Sequence, residues 1–202
     1  YITAPYSIFK KTWKLKPGHL LHFDVNSGKI TTEQYWNVYD YYNKPKLKIG
    51  LPDAICETKR ILKESFDYRM VSDVPVGVFL SGGYDSTCVA ALIQQDRTEK
   101  IKTFTIGMTD EKLNEAPFAK EIAQRLGTEH TEQLCTLNEA LKILPTLPDF
   151  YDEPFAVSSA IPTILVSRLA RQQVTVALSA DAGDEIFAGY NRYDYIKRYQ
   201  NK

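Results

Sequence analysis

Three cysteines and three histidines in 202 residues leave little room for soft-metal chemistry. Cys56, Cys88 and Cys135 are scattered, with no Cys-x-x-Cys pair and no histidine at ligand spacing, which argues against a zinc site. Isolated thiols of this kind read as packing residues in a reducing compartment. A surplus of either charge is also missing. The 25 Lys and Arg offset the 25 Asp and Glu, so nothing global draws the chain to nucleic acid or an anionic membrane. No apolar run reaches the roughly 18–20 residues of a membrane span, and no signal-peptide pattern opens the chain. The expectation is a soluble, cytoplasmic protein with no nucleic-acid or membrane partner. Internal repeats and low-complexity stretches are absent. So is an initiator methionine: the chain opens on Tyr1-Ile2-Thr3-Ala4-Pro5 and stops in mid-pattern at Tyr195-Ile196-Lys197-Arg198-Tyr199, as a piece of a longer polypeptide would.

What is present suffices for one ordinary domain with a core and a small appendage. Turn signals at Lys16-Pro17-Gly18 and Asn26-Ser27-Gly28 flank the short run His19–Phe23, predicting a β-hairpin-like segment up to about Trp36. The aromatic, Lys-rich stretch from Tyr35 to Lys48, broken by Pro45, reads as a linker. From Pro52 to Met70, Ile55, Leu62 and Phe66 share a helical face. Then strands and helices alternate. Strand Val76–Leu80 leads to helix Asp85–Gln95, whose Val89, Ala90, Leu92 and Ile93 face the core. Strand Lys102–Ile106 precedes helix Ala116–Leu126, stopped by Gly127. A strand over Glu129–Leu134, helices over Asn138–Leu147 and Ala160–Arg171, a strand over Val174–Ser179 and a helix from about Asp184 complete the order. Such alternation implies an α/β fold: a parallel sheet with helices on both faces, preceded by a short β segment. Ligands of such sheets sit beyond the carboxyl ends of the strands, where Ser81, Gly107 and Ser179 would gather.

Two strand ends carry chemistry. The apolar run Val76–Leu80 gives way to Ser81-Gly82-Gly83-Tyr84-Asp85-Ser86-Thr87. A strand feeding a glycine turn and a helix start presents unpaired N–H groups and the positive end of the helix dipole, which suits phosphate or pyrophosphate. Gly82 and Gly83 admit the anion closely, and Ser81, Ser86 and Thr87 add hydroxyls. Asp85 is out of place beside an anion unless a cation screens it, so Mg²⁺ held by a carboxylate and phosphate oxygens is expected. The string does not match GxxxxGK[ST], which disfavours a loop for γ-phosphate cleavage. The strand Val174–Leu178 ends in Ser179-Ala180-Asp181-Ala182-Gly183-Asp184-Glu185. Three carboxylates within five positions repel one another without a counter-cation or cationic substrate. Acids at a helix start also serve as caps and dipole partners, but the position opposite the Ser-Gly-Gly loop favours a functional reading.

The first string resembles the SGGxDS loop of the PP-loop ATP-pyrophosphatases, which release pyrophosphate and adenylate a substrate. Leu178–Tyr190 resembles the signature of the synthetase domain of glutamine-dependent asparagine synthetases. Phe104–Gly107, Glu115–Ala119 through Leu126–His130, and Asp152–Phe155 through Ser158–Thr163 agree with that family, in order and spacing. The resemblance implies residues 1–36 as the end of a glutaminase-type domain, 37–51 as a linker, and 52–202 as an ATP-pyrophosphatase domain truncated at its C-terminus. It implies a ligase that converts aspartate to asparagine through β-aspartyl-AMP, with ATP and Mg²⁺ as cofactors and ammonia from a glutaminase domain whose N-terminal cysteine is absent here. It also admits a homodimer of the full-length protein. Mapped onto this sequence, Asp85 and Asp184 would hold the metal, with Asp181 and Asp184 catalytic. Leu80, Ser81, Gly82, Gly83, Asp85, Ser86, Ile106, Ser179 and Ala180 would bind nucleotide. Glu185 reads as a helix brace and Glu115 as a plain helix-start acid. Asp152 and Glu153 read equally as acceptor-pocket residues or a loop. His19, His22 and His130 read as structural, and Arg192 and Lys197 as surface charge.

The sequence departs from that pattern at Ala180, Ala182 and Ala188, where glycine is usual, and at Tyr84 and Val157. A positive φ at any of these alanines would cost roughly 1–2 kcal/mol or shift the loop, and Ala180 is the position of most concern. Two other readings stay open: an amidotransferase acting on another carboxylate, of a sugar or peptide, and a nucleotide-binding domain without catalysis.

Overall fold

The computed structural model describes residues 2–111, 114–155 and 157–200. By their contacts they form two units: Tyr1–Leu51 with Thr146–Val157, and Pro52–Pro145 with Ser158–Lys202. In the smaller unit, β1 (His19–Phe23) pairs antiparallel with β2 (Ile30–Gln34). Turn chemistry closes the hairpin: the Asp24 carboxylate accepts the N–H groups of Asn26 (2.8 Å) and Ser27 (3.0 Å), and Gly28 sits at φ 68°. The stretch read as a linker holds a short helix, α1 (Val38–Tyr42), because Asn37 caps it by accepting the Tyr39 N–H at 3.1 Å.

The larger unit begins with α2 (Leu51–Met70), of which no residue is fully buried. Phe66 and Met70, at its C-terminal end, pack on the core, whereas Ile55 is exposed. There follow β3 (Val76–Phe79), α3 (Tyr84–Gln94), β4 (Lys102–Met108), α4 (Ala116–Leu126) and β5 (Glu129–Cys135). Gly127 ends α4 in the left-handed conformation (φ 71°, ψ 26°), as its position suggested. Next, α5 (Leu137–Ile143) is opened by a reciprocal Thr136–Glu139 capping box and stops before Pro145, short of the expected Leu147. After a 3₁₀ turn the chain passes through the smaller unit, where it forms the four-residue α6 (Leu147–Phe150), and the larger unit resumes with α7 (Ala160–Arg171), β6 (Val176–Leu178), α8 (Gly183–Phe187) and α9 (Arg192–Gln200). The strand expected from Val174 starts later, because the Val174 N–H closes the end of α7 on the Ala170 carbonyl (2.9 Å).

The sheet is parallel, in the order β5-β4-β3-β6. Alternation along the strands sends side chains to both faces. Val78, Leu80 and Leu178 pack with Val89, Ala90 and Ile93 of α3 and Ala119 and Ala123 of α4. Phe79, Phe104, Ile106 and Ala177 pack on the other face with Val166, Leu169 and Ala170 of α7. Phe104, fully buried, contributes about 2–3 kcal/mol by leaving water. The chain adds β4 and β5 on one side of β3, then returns to place β6 on the other. The order therefore reverses between β3 and β6, and in sheets of this kind ligands bind at the carboxyl ends of the strands at such a reversal.

Of the three thiols, only Cys135 is a packing residue. Cys56 and Cys88 lie exposed on helix surfaces, a correction to the sequence reading. No helix among the described residues is long and apolar enough to cross a membrane.

Candidate nucleotide site at the switch point

The loop after β3 is anchored before it turns. Leu80 is 1% exposed. Its N–H donates to the Phe104 carbonyl (3.0 Å), and its carbonyl accepts the hydroxyl of Thr105, itself buried in β4. Leu80 is thus engaged within the protein through both backbone groups. Thr105 escaped the sequence reading, although a hydroxyl inside the apolar run Phe104-Thr105-Ile106 was its visible signal. Ile106, also expected near the nucleotide, is half-buried and packs in the cluster of Phe104 and Leu169.

Beyond Leu80 the hydroxyls of Ser81 and Ser86 form a closed network. The Ser81 N–H donates to Ser86 Oγ (3.2 Å), the two hydroxyls lie 3.0 Å apart, and the Gly83 N–H donates to Ser81 Oγ (3.3 Å). Ser86 Oγ donates to the Gly83 carbonyl at 3.2 Å. Gly82 adopts φ 93°, and a Cβ there would lie 3.0 Å from both Ala119 N and Phe118 Cβ, so only glycine fits this turn against α4. Gly83 is the N-cap of α3 and offers no side chain to the helix. The N–H groups of Gly82, Tyr84, Asp85 and Ser86 consequently have no hydrogen-bond partner among the described residues. Tyr84 is 95% exposed beside them.

The second strand end meets this loop. A Cβ on Gly183 would fall 2.2 Å from Asp85 Oδ2 and 2.5 Å from Asp85 Cγ, so the Asp85 carboxylate rests directly on the Gly183 backbone. The neighbouring residue is Asp184, whose side chain lies against Gly189 in the same way: a Cβ there would sit 2.0 Å from Asp184 Oδ1. The fold thus sets the Asp85 carboxylate on Gly183, the residue that precedes Asp184 in sequence, while the Asp184 carboxylate itself lies on Gly189. The hydroxyl of Ser179 donates to Asp181 Oδ2 at 2.7 Å, and both residues are exposed. Ala180 is half-buried and packs on the core under α3.

The strain foreseen at the alanines falls elsewhere than on Ala180. Ala182 (φ 76°) and Ala188 (φ 56°) are left-handed and bracket α8, whereas Ala180 is not among the positive-φ residues. Glu185 accepts the Tyr190 hydroxyl (3.1 Å), which holds the phenol pKa above its usual value. Arg192 stacks on the Tyr190 ring at 3.9 Å. The side chain of Lys197 lies outside the described residues. Asn114, also missed, ties the end of β4 to the start of α4: its Oδ1 accepts the N–H groups of Met108 and Ala116, both at 3.2 Å. His130 bonds Thr103 through Nδ1 (2.9 Å), and burial pushes its pKa down.

Asp152 and Glu153 fall in the smaller unit, where Glu153 pairs with Lys14 at 2.5 Å. They line a cleft of about 660 Å³ there, with Tyr151 and Phe155 stacked at 4.6 Å.

At the switch point the side-chain donors are oxygens, with backbone N–H groups that have no partner among the described residues near the Asp85 carboxylate, and Asp184 follows Gly183 on the facing strand end. Among the described residues no cluster of three or more His, Cys, Asp or Glu forms an all-protein metal cage. This composition fits a magnesium nucleotide, in which phosphate oxygens complete the coordination.

The family model described as asparagine synthase matches residues 57–202, a span that includes both strand ends. The chain belongs to the asparagine synthase family. It is 38% identical over 208 residues to a Methanocaldococcus jannaschii protein provisionally named glutamine-hydrolyzing asparagine synthetase 2, covering 98% of this chain and 39% of that protein. Glutamine-hydrolyzing asparagine synthetase 1 of Bacillus subtilis is 32% identical over 194 residues, covering 96% and 30%. The chain thus spans about a third of the length of these asparagine synthase relatives. Among solved structures, a glutamine-dependent NAD+ synthetase of Acinetobacter baumannii in complex with ADP is similar with a TM-score of 0.48 and 20% identity, over 84% of this chain and 31% of that one.

Proposed function

We propose that this chain is the nucleotide-binding part of an ATP-dependent, amide-forming ligase that converts aspartate to asparagine. The observation that carries the reading is the meeting of Asp85 with the Gly183 backbone, beside a loop whose N–H groups at Gly82, Tyr84, Asp85 and Ser86 have no partner among the described residues, in an asparagine synthase family member. Asp85 and Asp184 would hold Mg²⁺, which when bound neutralises phosphate charge and orients the triphosphate. The N–H groups of Gly82, Tyr84, Asp85 and Ser86 donate to the β- and γ-phosphates, and gain strength as charge builds on the departing pyrophosphate. The β-carboxylate of aspartate attacks the α-phosphorus, giving β-aspartyl-AMP and pyrophosphate. Ammonia, supplied by glutamine hydrolysis in a glutaminase domain of the full-length protein, then displaces AMP and loses a proton. Asp181, exposed at the loop and accepting the Ser179 hydroxyl, would take that proton or hold the substrate ammonium.

The test is pyrophosphate release from Mg-ATP by the full-length protein, with ammonium, with and without L-aspartate, and with Asp85→Ala as control. Aspartate-dependent release that disappears in the control is expected. Nucleotide binding with no response to aspartate would defeat the choice of acceptor.

A further inference from the structure

We infer that Ser86 and Thr105 are positioning residues for the phosphate loop, acting through the backbone of Leu80–Gly83 and not as hydroxyl donors to the nucleotide. The inference rests on the proposed nucleotide site and assigns a role within it.

Hydrogen-bond accounting carries the argument. A serine hydroxyl has one proton and two lone pairs. Ser86 is 7% exposed. Its proton is spent on the Gly83 carbonyl (3.2 Å), and its oxygen accepts the Ser81 N–H (3.2 Å). With that proton committed, the 3.0 Å contact between the two hydroxyls has Ser81 as donor. Ser86 therefore has neither a free proton nor a free lone pair to offer phosphate, and its remaining donor is its backbone N–H. Thr105 is 4% exposed, and its hydroxyl donates to the Leu80 carbonyl. The two buried hydroxyls secure Leu80, Ser81 and Gly83, three of the four residues that make the turn. The N–H of the fourth, Gly82, has no acceptor among the described residues. Preorganised donors of this kind do not reorganise when charge develops, which is where their catalytic value lies.

Ser81 is different. It is exposed, and its proton, given to Ser86 Oγ here, can swing to an incoming anion. A direct phosphate role and a positioning role thus fall on two adjacent hydroxyls and can be separated experimentally.

The experiment measures binding of inorganic pyrophosphate and of Mg-ATP to the full-length protein by calorimetry, for wild type, Ser81→Ala, Ser86→Ala, the double variant, Thr105→Val and Thr105→Ser. Thermal melts of each accompany the titrations. Because Ser86 works through the loop that also positions Ser81, each single alanine is expected to weaken pyrophosphate binding about 10-fold and the double variant by no more than about 20-fold. Thr105→Val should weaken it about 5- to 10-fold, and Thr105→Ser should return it to within about 2-fold of wild type. Losses that multiply to about 100-fold in the double variant would overturn the inference, since they mean two independent phosphate ligands. A lowered melting temperature with unchanged pyrophosphate affinity in Ser86→Ala would also overturn it, leaving a purely structural role. If Thr105→Val does not fold, the Ser81/Ser86 cycle decides. Failure of the wild type to bind either ligand would instead refute the nucleotide site itself, and the inference with it.

Discussion

Ala180, Ala182 and Ala188 should respond to glycine with opposite signs. Ala182 and Ala188 hold φ of 76° and 56°, a conformation that costs an L-residue about 1–2 kcal/mol. Glycine removes that cost but adds freedom to the unfolded chain, worth about 0.4–1 kcal/mol. Both alanines are exposed, so no cavity is left behind. The net expectation is a gain of about 0.5–1 kcal/mol at each position, or roughly 2–8 °C in Tm for the pair in a protein of this size. Ala180 has no left-handed strain to relieve and packs on the core. Ala180→Gly therefore loses a packed methyl, about 0.8 kcal/mol per carbon when fully buried, in addition to the entropy cost. Paired urea and thermal melts of Ala182→Gly, Ala188→Gly and Ala180→Gly read all three signs. Destabilisation by glycine at both 182 and 188 would refute the left-handed assignment and with it the account of how α8 is bracketed.

Two further outcomes follow from the same geometry. Gly183→Ala forces the Asp85 carboxylate aside, because the new methyl would stand 2.5 Å from its Cγ; pyrophosphate release should fall on the order of 10²-fold with the melting curve little changed, and full activity would contradict the contact. His130 has a folded pKa below its ordinary 6.5, chiefly from burial, with Lys120 lowering and Glu132 raising it. Between the folded value and 6.5 the unfolded chain binds more protons, so this share of stability is present above about pH 6.5 and is lost as pH falls through that window. Urea melts at pH 7.5 and pH 5 should show a smaller pH effect in His130→Asn than in wild type, and equal slopes would count against it.

Much of the fold was legible because it rests on local patterns. Apolar runs of strand length, the periodicity of Val89, Ala90, Leu92 and Ile93, and Gly127 after α4 act over a few residues, and each element formed close to its expected place. The errors have local causes too: Asn37 capping a helix inside a presumed linker, and Pro145 stopping α5 early. The Ser-Gly-Gly loop and the acidic run after β6 were readable as two strand ends with suspicious chemistry.

Other properties required the chain to close on itself. That Asp85 rests on Gly183 depends on β6 pairing with β3 and not with β5, and no spacing along the chain encodes that choice. The sequence marks Ser81 and Ser86 equally as hydroxyls, but only packing makes one exposed and the other buried and saturated. Thr105 shows in the sequence only as a hydroxyl between two apolar residues, and packing alone brings that hydroxyl to the Leu80 carbonyl. Likewise, three alanines look alike in the sequence, and the tertiary path alone places two in the left-handed region and the third against the core. Local propensity and periodicity are short-range and written in neighbouring residues. Strand order, burial and hydrogen-bond saturation arise from long-range packing and are decided only when the sheet is assembled.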